Sequence, residues 1–102
     1  VSTEALASGV RAGFDLDRPW QLHPQVSVRP ESFGALLYHF GTRRLSFLKS
    51  PALLTVVSSL GEAPTAREAC RRANVSQAEL PAYAAALETL ARSQMICARA
   101  ES

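Results

Sequence analysis

The sequence is poor in the features that announce chemistry. It has two cysteines, Cys70 and Cys97, far apart and outside any Cys-x-x-Cys unit. That excludes a disulfide framework and signals neither a zinc centre nor a dithiol redox pair, so both are read as reduced, packed thiols. The two histidines, His23 and His39, come without a Ser-His-Asp order, a paired-acid motif, a glycine-rich phosphate loop or metal-ligand spacing. No catalysis, cofactor or metal is expected. Lysine is almost missing: ten of the eleven basic residues are arginine, and the formal net charge is only +2. The arginines are scattered, with only Arg43-Arg44 and Arg71-Arg72 adjacent, so the clustered footprint of a nucleic-acid binder is absent. No apolar run approaches the roughly 20 residues that span a bilayer, and no secretory signal opens the chain. The expectation is a soluble, cytoplasmic protein with no membrane and no nucleic-acid partner.

What is present is a chain of 102 residues, 47% hydrophobic, enough for one domain with a modest core. Its organising stretch is Phe33 to Leu48, which reads as a β-hairpin. Gly41 and Thr42 suit a two-residue II′ turn with positive φ at the glycine. Leu36 then faces Phe47, Tyr38 faces Leu45 and Phe40 faces Arg43. One face of the hairpin is apolar; the other carries Leu37, His39, Arg44, Ser46 and Leu48. The first strand, apolar at nearly every position, reads as central and covered on both faces. The second, opening with two arginines, reads as an edge, either guarded or available to an extended peptide.

Residues 1–17 read as a flexible tail, 18–98 as the domain and 99–102 as a frayed end. Before the hairpin, Val26 and Val28 alternate with Ser27 and Arg29 in a strand stopped by Pro30. It should lie beside the central strand, on the side away from Arg43 to Leu48. After the hairpin, Ser50-Pro51 starts a helix that ends at Leu60, with Gly61 placed for a left-handed cap. Thr65 to Glu68 is a capping box for a short second helix ending at Asn74. A third helix starts between Ser76 and Leu80 and runs to Arg92, followed by an apolar coda, Met95 to Cys97. The fold class is α+β: a winged-helix-like domain with a three-stranded antiparallel sheet followed by three helices, the last two a helix-turn-helix.

Leu80, Tyr83, Ala84, Leu87, Leu90 and Ala91 make the core stripe of the third helix. Beside it, Ala82, Ala85, Ala86 and Thr89 form a smooth surface that another backbone can approach. Alanines also simply suit helices. A DNA-reading helix would present Arg, Lys, Asn or Gln at its exposed start, where this one offers Gln77, Glu79, Ala82 and Ala86.

The run from His23 to Leu48 resembles the PqqD-like family of peptide chaperones, or RiPP recognition elements. The resemblance lies in Val28-Arg29-Pro30-Glu31 before Phe33-Gly34-Ala35, the Leu37-Tyr38 strand, the basic turn, and Leu45 to Leu48 before an apolar helix. In detail it looks most like the mycofactocin-system branch, and it covers roughly residues 17 to 97. It implies capture of a ribosomal precursor peptide's leader as an added strand, and delivery to a radical SAM maturase in redox-cofactor biosynthesis. Carried onto this chain, the implied site is Arg43, Arg44, Leu45, Ser46, Phe47 and Leu48 on the strand, with Ala82, Ala85, Ala86 and Thr89 as the helix wall. A monomer or weak dimer is expected. The alternatives are a winged-helix DNA-binding module and a scaffold that self-associates through the same edge.

Overall fold

The computed structural model describes residues 14–99. Five strands and three helices follow in the order β1 (Trp20–Leu22), β2 (Val26–Glu31), β3 (Gly34–His39), β4 (Leu45–Leu48), α1 (Pro51–Ser59), α2 (Ala66–Arg72), α3 (Leu80–Arg92) and β5 (Ile96–Ala98). The main sheet is antiparallel with order β2-β3-β4, and a second, two-stranded sheet pairs β1 with β5. The α+β class and the three-strand, three-helix sequence are as expected, and the arrangement is compatible with a winged helix. The expectation of three strands misses the small sheet. Trp20 pairs with Ala98 and Leu22 with Ile96, so the apolar coda is a strand. No helix among the described residues is long and apolar enough to cross a membrane.

The hairpin register is the expected one, with Leu36 opposite Phe47 and Tyr38 opposite Leu45. Its turn is not. Arg43, at φ 63°, takes the left-handed conformation assigned to Gly41, and the loop runs over four residues, Phe40 to Arg43. The Arg43 amide donates to the His39 carbonyl (2.7 Å), and the His39 amide donates to the Arg44 carbonyl (3.0 Å). The His39 ring organises this turn: Nδ1 accepts from the amides of Gly41 (3.0 Å) and Thr42 (3.1 Å). Those bonds favour a longer loop closed by an αL residue over the two-residue turn. A Cβ on Gly41 would lie 2.6 Å from Gln25 Oε1, a contact that a shift of the flexible glutamine side chain relieves.

The expectation that β3 is covered on both faces is not met. Ala35, Leu37 and Leu48 are fully buried under the helices, and His39 is only 2% exposed, so the mixed face is the core face. The apolar face, with Leu36, Tyr38, Phe40, Leu45 and Phe47, points away from the helices. β3 is therefore central but covered on one side only. Three short helices make one layer, and a two-layer domain leaves the far side of its sheet open.

The helices start as their sequences dictate. Ser50 Oγ accepts from the Leu53 amide (3.2 Å), with Pro51 in the first turn, and Thr65 Oγ1 accepts from the Glu68 amide (3.1 Å). Ser76 and Glu79 make the reciprocal capping-box bonds one turn before Leu80, which puts Pro81 in the first turn of α3, where it is tolerated. Asn74, at φ 65°, ends α2. Gly61 does not take the left-handed cap; Leu60 stays helical, and the carbonyls at this end are met by a side chain instead. Arg99 donates from Nη1 to Leu60 O (2.9 Å) and Gly61 O (2.6 Å), and from Nη2 to Ala63 O (2.9 Å). A guanidinium at the negative end of a helix serves both hydrogen bonding and the dipole. Arg99, expected in a frayed end, thus locks one, and its amide donates to Pro19 O (3.0 Å).

The core gathers Val56, Val57 and Leu60 of α1, Ala66, Ala69 and Cys70 around α2, Leu87 and Leu90 of α3, and Met95 and Ile96. Each fully buried large apolar side chain contributes roughly 1.5–3 kcal/mol. Burial also raises the pKa of the Cys70 thiol, which keeps it protonated. Residues 14–17, expected to belong to the tail, pack on the fold: Phe14 stacks on Trp20 with centroids 4.4 Å apart, and Asp17 accepts from Arg67 Nε (2.8 Å). The rest of the expected tail, residues 1–13, lies outside the described residues.

Candidate functional site

Antiparallel strands alternate between pairs that exchange backbone hydrogen bonds and pairs that do not. The bond from His39 to Arg44 makes that position a bonded pair, so Leu37–Ser46 and Ala35–Leu48 are bonded as well. The amides and carbonyls of Ser46 and Leu48 therefore face β3. Those of Leu45 and Phe47 face the free edge of the sheet. The opposite flank agrees: Phe40 donates to Gln25 O (2.8 Å), so Pro30, which lacks an N–H, stands at a non-bonded position on the edge strand β2.

Beside this free edge, β4 and α3 stand apart across a groove. A cavity of about 400 Å³ is floored by Leu48, Leu53 and Leu90 and walled by Ser46, Ala86 and Thr89. Leu45, Phe47 and Lys49 complete its strand side. A second cavity of about 190 Å³ continues it past Leu53 and Ala86 to Ser50, Ala82 and Tyr83. At the end near the hairpin turn, Thr42, Arg44, Arg92, Ser93 and Gln94 line a polar recess of about 260 Å³. The groove is thus apolar along most of its length and cationic at one end.

The small side chains on α3 follow from its phase. With Leu87 and Leu90 buried, Ala82, Ala86 and Thr89 fall on the flank that looks toward β4. Alanine at two of these positions and threonine at the third leave space beside the strand. Thr89 donates its hydroxyl to the carbonyl of Ala85 (3.2 Å), so that donor is already satisfied within the helix.

Of the residues expected at the site, Leu45, Ser46, Phe47, Leu48, Ala82, Ala86 and Thr89 line this groove, and Arg44 lines its polar end. Ala85 is exposed and lines no cavity here, because it lies a third of a turn from Ala86 on the solvent side. Arg43 is exposed at the turn and lines none either. Leu53, Lys49, Tyr83 and Arg92 were not expected. Leu53 and Tyr83 read as plain core positions in the helical pattern, and only the packing shows them half-buried at the groove.

His23 and His39 stack tilted, with ring centroids 4.4 Å apart. His23 Nδ1 accepts from the Gln25 amide (3.0 Å), so both rings brace turns of the sheet. Among the described residues no three metal-ligating side chains come together.

The β4 edge of the sheet, free beside a shallow apolar groove, has the geometry that strand-capturing binding modules use. The chain belongs to the peptide chaperone MftB family, whose model matches residues 19–97. It is 54% identical over 96 residues to the peptide chaperone MftB of Mycobacterium ulcerans, covering 94% of this chain and 88% of that protein. It is 57% identical over 86 residues to that of Mycobacterium tuberculosis (84% and 79% covered), and 53% identical over 83 residues to that of Mycolicibacterium smegmatis (81% of each). The family and these relatives are named as peptide chaperones, not as enzymes. No solved structure matches the chain.

Proposed function

We propose that this protein captures the leader segment of a ribosomally made precursor peptide as a fourth strand on β4, and presents it to a radical SAM maturase in mycofactocin biosynthesis. The observation that carries the reading is the coincidence of two features on one strand. The outward amides and carbonyls of Leu45 and Phe47 have no partner strand, and the groove against Ala82, Ala86 and Thr89 lies beside them. Main-chain bonds supply affinity that tolerates sequence, and alternate apolar side chains of the leader enter the groove for specificity. Ordering a flexible peptide offsets part of that gain, so moderate affinity follows. Arg44 at the polar end, where Arg92 is already paired with Glu88 (3.0 Å), favours a carboxylate on the leader there. Reading DNA is disfavoured because Arg71 and Arg72, the adjacent cations of the helix-turn-helix, are both held by Glu68.

The test is a pair of neighbouring substitutions on α3. Ala86→Glu places a charged chain in both cavities and should weaken leader binding by about tenfold or more in isothermal titration. Ala85→Glu, on the solvent side, should leave it unchanged. Equal affinity in both variants would remove the groove from the site.

A further inference from the structure

The main sheet carries a second surface that leader binding does not use up. On its outer face Phe33, Phe40, Leu45 and Phe47 are 44%, 58%, 55% and 59% exposed. They form a connected platform: Phe33 lies 6.2 Å from Phe47, centroid to centroid, Tyr38 meets Phe40 edge-on at 5.3 Å, and Leu36 sits between the two pairs. From the usual side-chain areas, these four residues alone leave about 400 Å² of apolar surface in water, as much as the largest patch on a typical monomer. That is the apolar share of one side of a standard protein interface, which buries roughly 800 Å² per partner.

We infer that this outer face is the docking surface for the enzyme that modifies the captured peptide, a partner presenting apolar side chains ringed by carboxylates. The inference rests on the peptide-chaperone reading above. Charge selects the partner. Of the cations on these strands, Arg43 stands exposed at the hairpin turn, Arg44 and Lys49 stand exposed at the two ends of β4, where they also line the groove, and Arg29 stands exposed on β2 near the one carboxylate, Glu31. Glu31 pairs with Arg29 (2.9 Å); the other three cations form no ion pair among the described residues. A second copy would bring the same cations against these, so the face is not complementary to itself.

Continuity with the groove couples docking to loading. On β4, Ser46 and Leu48 point inward while Leu45 and Phe47 point outward. A strand added to the free edge alternates in the same way, so half its side chains enter the groove and the other half emerge on the outer face beside Leu45 and Phe47. The loaded protein therefore offers a wider surface than the empty one. A partner seated there reads chaperone and peptide together.

The experiment measures two affinities, that of a synthetic leader for the chain and that of the purified radical SAM maturase for the empty and loaded chain. Two variants on the outer face avoid the groove: Phe33→Ser with Phe40→Ser, and Ser27→Glu, which sets an exposed carboxylate opposite Tyr38. Both variants should bind leader within about twofold of the unaltered chain, since Ser27, Phe33 and Phe40 do not line the groove. Enzyme binding by the loaded double variant should fall by about tenfold or more, the scale of losing buried aromatic anchors. Ser27→Glu, being exposed, keeps the test valid if the double variant does not fold, and should weaken enzyme binding severalfold. The unaltered chain should hold the enzyme more tightly when loaded. Full enzyme binding by Ser27→Glu and by a folded double variant would overturn the inference, as would equal enzyme affinity of empty and loaded chain. So would a dimer of the unaltered chain that these variants dissociate, since a second copy would then own the face. Failure of the underlying reading looks different: the unaltered chain would not bind leader at all.

Discussion

Gly34 and Leu48 approach so closely that a Cβ on the glycine would lie 2.0 Å from the Leu48 carbonyl oxygen, and Gly34 holds φ at +149°. The contact ties the start of β3 to the end of β4, where the strand turns into α1. It positions the lower end of the groove.

Gly34→Ala should therefore cost stability twice, through the strained backbone and through displacement of Leu48. The expected loss is about 2–4 kcal/mol. In a domain of this size that lowers the midpoint of thermal unfolding by about 10 °C or more. A melt followed by circular dichroism checks it, and an unchanged midpoint would show that β4 shifts freely.

Proline substitutions separate the two sides of β4. Phe47→Pro removes an amide that faces the free edge, so the fold should survive while leader affinity falls about three- to tenfold below that of Phe47→Ala. Ser46→Pro removes an amide bonded to β3 and should cost at least about 2 kcal/mol of stability. If both prolines affected stability alike, the assignment of inward and outward amides would be wrong.

Glu68 accepts hydrogen bonds from Arg71 Nε (2.8 Å) and Arg72 Nε (3.2 Å), and these hold its carboxyl at about 2, below the ordinary 4.5. The native state thus prefers the ionised form. The stabilisation is complete above about 4.5 and disappears as pH falls toward 2. Glu68→Gln should melt below the unaltered chain at pH 7, with the gap closing across that window. Because the carboxyl is exposed to solvent, salt should shrink the gap at pH 7. A gap that persists undiminished at pH 2 would refute the charge effect.

The sequence made some of these features legible and hid others for definable reasons. Alternation in Phe33 to Leu48 specifies register, because a one-residue slip would invert every side chain. It does not say which face is inside, since Leu36, Tyr38 and Phe47 look more like core than Ala35, His39 and Ser46 do. The choice is made by the helix layer, which is not written in the strand. The turn was misread because the glycine signal was in view, whereas the His39 Nδ1 bonds to the Gly41 and Thr42 amides appear only in three dimensions. Strands β1 and β5 are three residues each and lie more than seventy residues apart, too short and too distant for periodicity to reveal. Arg99 reads as a terminal charge until its contacts with Leu60, Gly61 and Ala63 are seen. On α3, spacing groups Ala82, Ala85, Ala86 and Thr89 as one smooth surface, of which Ala82, Ala86 and Thr89 line the cavities beside β4. Ala85 stands exposed next to them, and a smooth helix gives no sign in its sequence of where the cavity lining ends.

The central claim is that a peptide adds to the sheet along β4, and backbone hydrogen exchange of the chain with and without the leader tests it most directly. In the free chain the amides of Ser46 and Leu48 should already be protected by β3, while those of Leu45 and Phe47 exchange rapidly. On adding leader, Leu45 and Phe47 should become protected, and amide shifts should gather on β4 and on Ala82, Ala86 and Thr89. Leader binding that leaves the exchange of Leu45 and Phe47 unchanged would contradict strand addition at this edge.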